Sequence, residues 1–132
     1  MTISNMNYLL DTHTLIWFMN GNENLSKLAQ NTIEDIDSTN YVSIISIWEM
    51  AIKVSQDRLE LKNPFNNIIS DLQKNNFILL DIEIRDTLKL TTLPFIHKDP
   101  FDRLLISQAI NNDFTLISKD EYFKDYSVKL LW

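Results

Sequence analysis

The residues of this sequence that are best suited to chemistry are four acids, Asp11, Glu49, Asp102 and Asp120. Carboxylate oxygens are the ligands that Mg²⁺ and Mn²⁺ prefer in proteins. Acids that converge repel one another, so a pocket built from them selects a divalent cation. One or two such ions activate water and stabilise a departing oxygen in phosphodiester hydrolysis. If the four acids converge, they predict a metal site suited to that reaction, without distinguishing RNA from DNA.

The composition excludes several other chemistries. The 132 residues contain no Cys, so disulfides, thiolate nucleophiles, iron–sulfur clusters and cysteine zinc sites are absent. Gly21 is the only glycine, whereas a dinucleotide fingerprint or a P-loop needs several. Metal chemistry must therefore use oxygen ligands or the two histidines, His13 and His97. Isolated histidines are more often structural or exposed, so neither is assigned a role from the sequence.

The net charge of -6 argues against a DNA-coating protein or a membrane-surface binder, because both usually carry a basic field. Without the four acids, 14 acidic side chains stand against 12 basic ones. Most of the acidic excess therefore comes from the four acids of the predicted metal site. We expect the basic surface that contacts a substrate to be small and local. The first residues, MTISNMN, carry no basic segment, and no apolar run is long enough to span a membrane. We expect a cytoplasmic protein with no membrane partner.

Short apolar or β-branched runs alternate with helical patterns along the chain. The runs predict strands at 8–10, 41–45, 77–80, 115–117 and 128–132. Apolar residues at three- and four-residue spacings predict helices at 12–19, from 25 to about 36 with Ser26 as N-cap, at 46–56, from Pro64 to 75, at 84–90 before Pro94, at 101–111 and near 121–124. This alternation predicts a single α/β domain over 1–132, with a mostly parallel sheet of about five short strands in a three-layer α/β/α arrangement.

The acids lie where an α/β sheet binds its ligands, beyond the carboxyl ends of the strands. Asp11 ends the first strand, Glu49 lies in the first turn of the helix after the second, and Asp120 follows the fourth by three residues. Helix capping is the alternative for each acid. Ser46 and Glu49 fit a capping box, and Asp99 fits an N-cap before Pro100, which would place Asp102 at N3.

Periodicity weakens the capping alternative for Asp102. This acid shares a helix face with Leu105, Ile106 and Ala109, which should point into the core. A carboxylate on an inward face needs a partner, because burying it alone is costly. A divalent cation is such a partner. Glu49 lies four residues before Lys53, and an ordinary surface ion pair remains open for it.

Four segments in order resemble the PIN domain, specifically the VapC-type ribonuclease toxins of bacterial toxin–antitoxin pairs. They are YLLDTHTLIWF (8–18), SIWEMAIK (46–53), DPFDRLLISQA (99–109) and TLISKDEYF (115–123). The resemblance implies a PIN-like fold and a Mg²⁺- or Mn²⁺-dependent endoribonuclease whose catalytic metal ligands are Asp11, Glu49, Asp102 and Asp120. It also implies a structured RNA substrate such as tRNA or rRNA, a cognate antitoxin protein as partner, and a homodimer.

Carried over by position, the resemblance places further polar side chains near the metal. Thr12, Ser46 and Ser118 would orient carboxylates or water, and Asp99 would lie beside the ligands while capping its helix. Arg103 and Lys119 flank the two later acids and are candidates for phosphate contacts, with plain surface charge as the alternative.

Two other classes of protein fit the sequence less well. A catalytically inactive PIN-like module that binds RNA or protein has no reason to keep four mutually repelling acids. An aspartyl phosphatase needs an acid two residues after Asp11, where His13 stands, and a phospho-receiver needs an acidic pair before it. Trp17 and Trp48 are assigned to the core or a subunit interface rather than to base stacking, because large aromatics dominate both settings.

Overall fold

The computed structural model describes residues 6–132, which form a five-stranded sheet between helices. The strands are β1 (Asn7–Leu10), β2 (Thr39–Ser43), β3 (Ile78–Leu80), β4 (Thr115–Ile117) and β5 (Lys129–Leu131). The helices are α1 (Thr12–Asn20), α2 (Lys27–Glu34), α3 (Ile44–Ser55), α4 (Ile68–Lys74), α5 (Ile84–Leu90) and α6 (Pro100–Asn112), with short 3₁₀ turns at Phe65–Asn67 and Glu121–Asp125. The α/β class is confirmed.

The strands pair in the order β3-β2-β1-β4-β5, and every pairing is parallel. The chain moves outward on one side of β1 to β2 and β3, and then returns to the other side of β1 for β4 and β5. The boundary between β1 and β4 is therefore the topological switch point, where open α/β sheets form their ligand crevice. Asp11 and Ser118 directly follow the paired residues Leu10 and Ile117 at this boundary.

The two faces of the sheet bury separate apolar clusters. In β1, Leu9 packs in the cluster with α6 residues such as Leu105, whereas Leu10 packs with Leu15 of α1. In β4, Leu116 joins the first of these clusters and Ile117 the second. Successive strand residues point to opposite faces, so this division shows that both faces are covered, as the three-layer prediction requires.

The junction between β2 and α3 differs from the prediction. The strand ends at Ser43 rather than at residue 45, and the helix begins at Ile44 rather than at residue 46. Ser43 is the N-cap, and its hydroxyl accepts a hydrogen bond from the Ile45 amide. The predicted capping box of Ser46 and Glu49 is therefore wrong, because both residues lie inside the helix and Glu49 belongs to its second turn.

Most of the other predicted boundaries differ from the observed ones by one or two residues, and α2, for example, spans Lys27–Glu34 rather than 25–36. The helix expected from Pro64 starts as a 3₁₀ turn, and α4 proper begins at Ile68. The strand expected from Phe77 begins at Ile78. Helix α5 ends at Leu90, four residues before Pro94, so the proline does not end it. The Ser26 cap of α2 is confirmed, since its hydroxyl accepts from the Ala29 amide.

No helix within residues 6–132 combines the length and apolar character needed to cross a bilayer. The expectation that the opening stretch MTISNMN carries no targeting segment falls, as far as position 5, on residues outside the described part of the chain.

Candidate metal centre

Asp11 is fixed at the carboxyl end of β1. It is the N-cap of α1, and its Oδ1 accepts a hydrogen bond of 2.8 Å from the Thr14 amide. Its Oδ2 accepts a 2.5 Å hydrogen bond from the Ser118 hydroxyl. Burial raises the pKa of Asp11, and the hydrogen bonds from Ser118 and Thr14 oppose that rise. The capping interpretation is thus correct for one oxygen, while the carboxylate as a whole is held at the switch point.

Asp102 enters the site from the first turn of α6. The N-cap of this helix is Asp99, whose Oδ1 accepts a 3.1 Å hydrogen bond from the Asp102 amide, as predicted. Burial and the charge of Asp99 raise the pKa of Asp102 to about 7; the charges of Asp11 and Glu49 also raise it, and a hydrogen bond with His97 lowers it. The charges of Asp11 and Glu49 therefore both reach Asp102.

Glu49 carries an oxygen atom without a partner. Its Oε2 lies 3.3 Å from Lys53 Nζ, which is the ion pair that the sequence left open. Its Oε1 is buried and has no hydrogen-bond partner. A buried, unpaired carboxylate oxygen is costly unless something satisfies it. Beside other acids, that partner is a cation, so the residues present fit a hard divalent ion with oxygen ligands.

Asp120 is joined to Asp11 through the Ser118 hydroxyl. Its Oδ1 accepts from the Tyr122 amide at 2.9 Å, which caps the 3₁₀ turn. Its amide donates to the Ser118 hydroxyl at 3.0 Å, and that hydroxyl in turn donates to Asp11. Ser118 thus joins the first and last acids of the site, which agrees with the role expected of a hydroxyl that orients a carboxylate.

His97 also belongs to the site, although no role was predicted for it. Its Nε2 lies 2.9 Å from Asp102 Oδ2 and 3.7 Å from Asp120 Oδ2. Ligand atoms of these three residues all lie within 4.8 Å of one another, close enough to share a metal ion. The His97 ring stacks on Tyr122 at 5.2 Å, and its backbone amide donates to the Tyr126 hydroxyl. The one signal available was its position two residues before Asp99.

Thr12 and Ser46 are both buried, and they contact each other. The Thr12 hydroxyl donates to Ser46 Oγ at 3.0 Å, which joins the first turn of α1 to α3. The structure therefore places these hydroxyls between the helices that carry Asp11 and Glu49. Among the described residues, no hydrogen bond links either hydroxyl to a carboxylate.

Arg103 is placed differently from the sequence expectation. Its side chain is buried, and its guanidinium donates to the backbone carbonyls of Pro94 and Leu90 and to the Tyr126 hydroxyl. The same group lies 4.9 Å from the centroid of the Phe95 ring. Arg103 therefore anchors the loop that precedes His97, and these contacts engage three of its five N–H donors.

Lys119 is exposed beside the acids. Its Nζ lies 5.8 Å from the centroid of the Trp17 ring. Both residues line an open cleft of about 330 Å³ together with Asp11, His13 and Asp120. The site therefore combines buried acids that suit a metal with an exposed cation that suits a phosphate.

Comparison with known families identifies the fold independently. The family model described as PIN domain matches residues 8–129 of the chain. A curated relative, Ribonuclease VapC22 of Mycobacterium tuberculosis, is 29% identical over 121 residues, which are 89% of this chain and 90% of the relative.

Solved structures with the same fold include two toxin–antitoxin complexes. VapBC2 from Rickettsia felis, bound to a DNA fragment from its promoter, has a TM-score of 0.73 and 20% identity, and the match covers 95% of this chain and 97% of the other. A toxin–antitoxin complex from Klebsiella pneumoniae has a TM-score of 0.67 and 18% identity, with 95% and 96% covered.

Proposed function

The chain belongs to the PIN domain family, and from that premise we propose that it is a Mg²⁺- or Mn²⁺-dependent endoribonuclease. The observation that carries the proposal is Glu49, which keeps a buried oxygen without a partner while its charge and that of Asp11 raise the pKa of Asp102. Similarity to a relative named as a ribonuclease supports RNA as the substrate. The metal ligands in this proposal are Asp11, Glu49, Asp102 and Asp120.

When bound, the metal supplies activation of water and stabilisation of the negative charge on the leaving oxygen. The chain's own residues prepare the site for it. Ser118 and the Thr14 amide fix both oxygens of Asp11, so this ligand is held in place before the metal or the RNA binds. With a pKa of about 7, Asp102 holds a proton for part of the time in the metal-free protein and must release it to act as a ligand.

Lys119 is the proposed phosphate contact. It is exposed, it lines the same cleft as Asp11 and Asp120, and it forms no ion pair with the other described residues. Arg103 has no substrate contact in this proposal, because its guanidinium holds the loop before His97. Asp99 acts through the helix that it caps, where its charge also raises the pKa of Asp102.

The biological role that we propose is the toxin of a type II toxin–antitoxin pair, acting in the cytoplasm as a homodimer with a cognate antitoxin. The relative named VapC22 and the toxin–antitoxin complexes that share the fold support an antitoxin partner. The surface supports protein contacts as well. Helix α5 exposes Ile84 and Leu88, and the following loop exposes Phe95, an apolar surface of the kind that mediates association.

The test compares the wild type with Asp11→Asn on a labelled RNA that contains both a stem and a loop, with Mg²⁺, with Mn²⁺ and with EDTA. We expect cleavage only with the metal, and a fall of at least about 100-fold in the variant, because a direct ligand matters more than the outer groups that orient ligands. A DNA of the same sequence measures preference for RNA.

Asp37→Asn is the matched control, because it makes the same chemical change at an exposed acid just before the amino end of β2. It should cleave like the wild type. Equal cleavage by wild type and Asp11→Asn, or cleavage that persists in EDTA, would contradict the proposed function and indicate a contaminating nuclease. Folding of both variants is checked by circular dichroism.

A further inference from the structure

The cleft beside the acids is also lined by aromatic rings and a lysine that metal binding does not require. Its lining combines two acids, Asp11 and Asp120, with two aromatic rings, His13 and Trp17, and one cation, Lys119. We infer that this Trp17 cleft is a nucleotide subsite, in which an unpaired RNA base stacks on the His13–Trp17 ring pair while Lys119 contacts an adjoining phosphate. The inference rests on the proposed function and names the part of the RNA that the site recognises.

The two rings form a preformed stack on one face of α1. His13 and Trp17 are four residues apart, so they are neighbours on the helix surface. Their ring centroids lie 5.7 Å apart at an interplanar angle of 27°. His13 is exposed, so its outer face is free to extend the stack by one more ring. Base stacking on aromatic side chains is the usual way in which proteins hold unpaired nucleotides.

Trp17 gives this stack a rigid foundation. It is half-buried, it packs against the apolar cluster that contains Leu10 and Leu15, and it contacts the Trp132 ring at 5.8 Å. The assignment of Trp17 to the core is therefore correct for one part of the ring, while another part lines the cleft. Because these contacts order the ring before any ligand arrives, a base that stacks there loses little free energy to ordering the protein.

Lys119 gives the cleft its charge preference. Its Nζ lies over the Trp17 ring, and its neighbour in sequence is the proposed ligand Asp120. In this arrangement, the base of a bound nucleotide would stack on the His13 ring. Its phosphate would lie near Lys119 and near the proposed metal ligands that line the cleft, Asp11 and Asp120. Lysine contacts to phosphate position a nucleic acid without reading its sequence.

The surface continues past Lys119 as a second cleft that could hold the neighbouring nucleotides of an RNA strand. A second cleft of about 590 Å³ shares Lys119 and Asp120 with the first, and it is also lined by Lys124 and Trp132. A base within a duplex is already stacked and paired, so it cannot enter either cleft without being extruded. The substrate class that fits is RNA with an unpaired nucleotide next to the cleaved bond, such as a loop or a single strand.

Binding is measured in Glu49→Gln protein, because this change should stop cleavage and Glu49 does not line the cleft. The probes are a single-stranded RNA of ten nucleotides and a blunt duplex of the same sequence. We expect the single strand to bind more tightly than the duplex and to quench tryptophan fluorescence. Trp17→Phe should remove most of the quenching, whereas Trp48→Phe, which alters a tryptophan outside the cleft, should not.

Two matched pairs of variants test the contacts separately. His13→Ala should weaken single-strand binding about tenfold, while His13→Phe, which keeps an aromatic face, should retain it. Lys119→Ala should weaken binding of both probes and reduce its salt dependence, whereas Lys129→Ala, at an exposed lysine paired with Asp113, should do neither.

The outcomes separate this inference from the proposed function. Equal affinity of His13→Ala and His13→Phe, or no preference for the single strand, would overturn the subsite while metal-dependent RNA cleavage by the wild type stands. If the wild type does not cleave RNA, the proposed function fails first. If RNA leaves Trp17 fluorescence unchanged and a purified antitoxin quenches it, the cleft is a protein-binding surface and the inference is wrong.

Discussion

Asp86 and the acids of the candidate metal centre have opposite surroundings. Asp86 in α5 is 1% exposed, and both of its oxygens accept hydrogen bonds, from the Glu83 amide at 2.9 Å and from the Asn111 side chain at 3.0 Å. Glu49 keeps a buried oxygen with no partner, and Asp102 lies within the fields of three other acids. Burial alone therefore does not identify a functional acid. Unmet hydrogen-bonding capacity together with like charge does.

The largest expected effect is on activity, and it separates Asp102 from Asp86. Asp102→Asn should lower RNA cleavage by at least about 100-fold, because it removes a proposed metal ligand. Asp86→Asn should leave the cleavage rate per folded molecule close to that of the wild type, since Asp86 contacts only α5 and α6. Initial rates at saturating Mg²⁺, corrected for the folded fraction, provide the measurement. Equal losses of cleavage rate in the two variants would contradict the functional role of Asp102 and the structural role of Asp86.

The next effect is on stability, and its sign differs between the two acids. The pKa of Asp102 rises from 3.8 to about 7 on folding, so the folded protein keeps a proton that the unfolded chain releases between these values. The free energy of unfolding of the metal-free protein should therefore fall as the pH rises from about 4 to 7. Asp102→Asn should remove the part of this dependence that Asp102 contributes, while Asp11, whose pKa is also raised by burial, keeps its own part. The variant should stabilise the metal-free protein above pH 7 by about 1–2 kcal/mol.

Asp86→Asn serves as the contrast in the same urea titrations. It should destabilise the protein by about 1–3 kcal/mol at every pH, because one of two satisfied carboxylate oxygens becomes an amide donor facing another donor.

Adding Mg²⁺ should stabilise the wild type more at pH 8 than at pH 6, since protons compete with the metal for Asp102. A stability that rises from pH 4 to 7 without metal would contradict the assignment.

The smallest expected effect concerns His97, whose nitrogen lies between two of the acids. His97→Asn should weaken Mn²⁺ binding by about tenfold and Mg²⁺ binding less, because a ring nitrogen suits Mn²⁺ better than Mg²⁺ and outer groups also orient ligands. Calorimetric titration of both ions measures the ratio. Asp37→Asn, at the exposed acid before β2, is the control and should leave both affinities unchanged. An unaltered ratio in His97→Asn would limit His97 to holding the loop.

Much of the fold followed from local patterns. The strand at 115–117 and the helix at 84–90 were predicted to the residue, because each is a short apolar or amphipathic segment with clear limits. The junction at Ser43 was wrong because Ile44 and Ile45 are β-branched, which favours a strand locally. The Ser43 cap and the burial of Ile45 in the core outweigh that preference.

The sequence by itself determined the element order, the positions of Asp11, Asp102 and Asp120 after strands or at a helix start, and the Asp99 cap. These features depend on neighbours within a few residues. Only the tertiary structure decided that His97 joins the acids, that Arg103 serves a loop and that Trp17 lines a cleft. Hydrogen bonds that settle such roles join distant positions, as from Ser118 to Asp11 across 107 residues. Local propensity carries no information about these contacts, because whether a buried oxygen is satisfied depends on which atoms the fold brings to it.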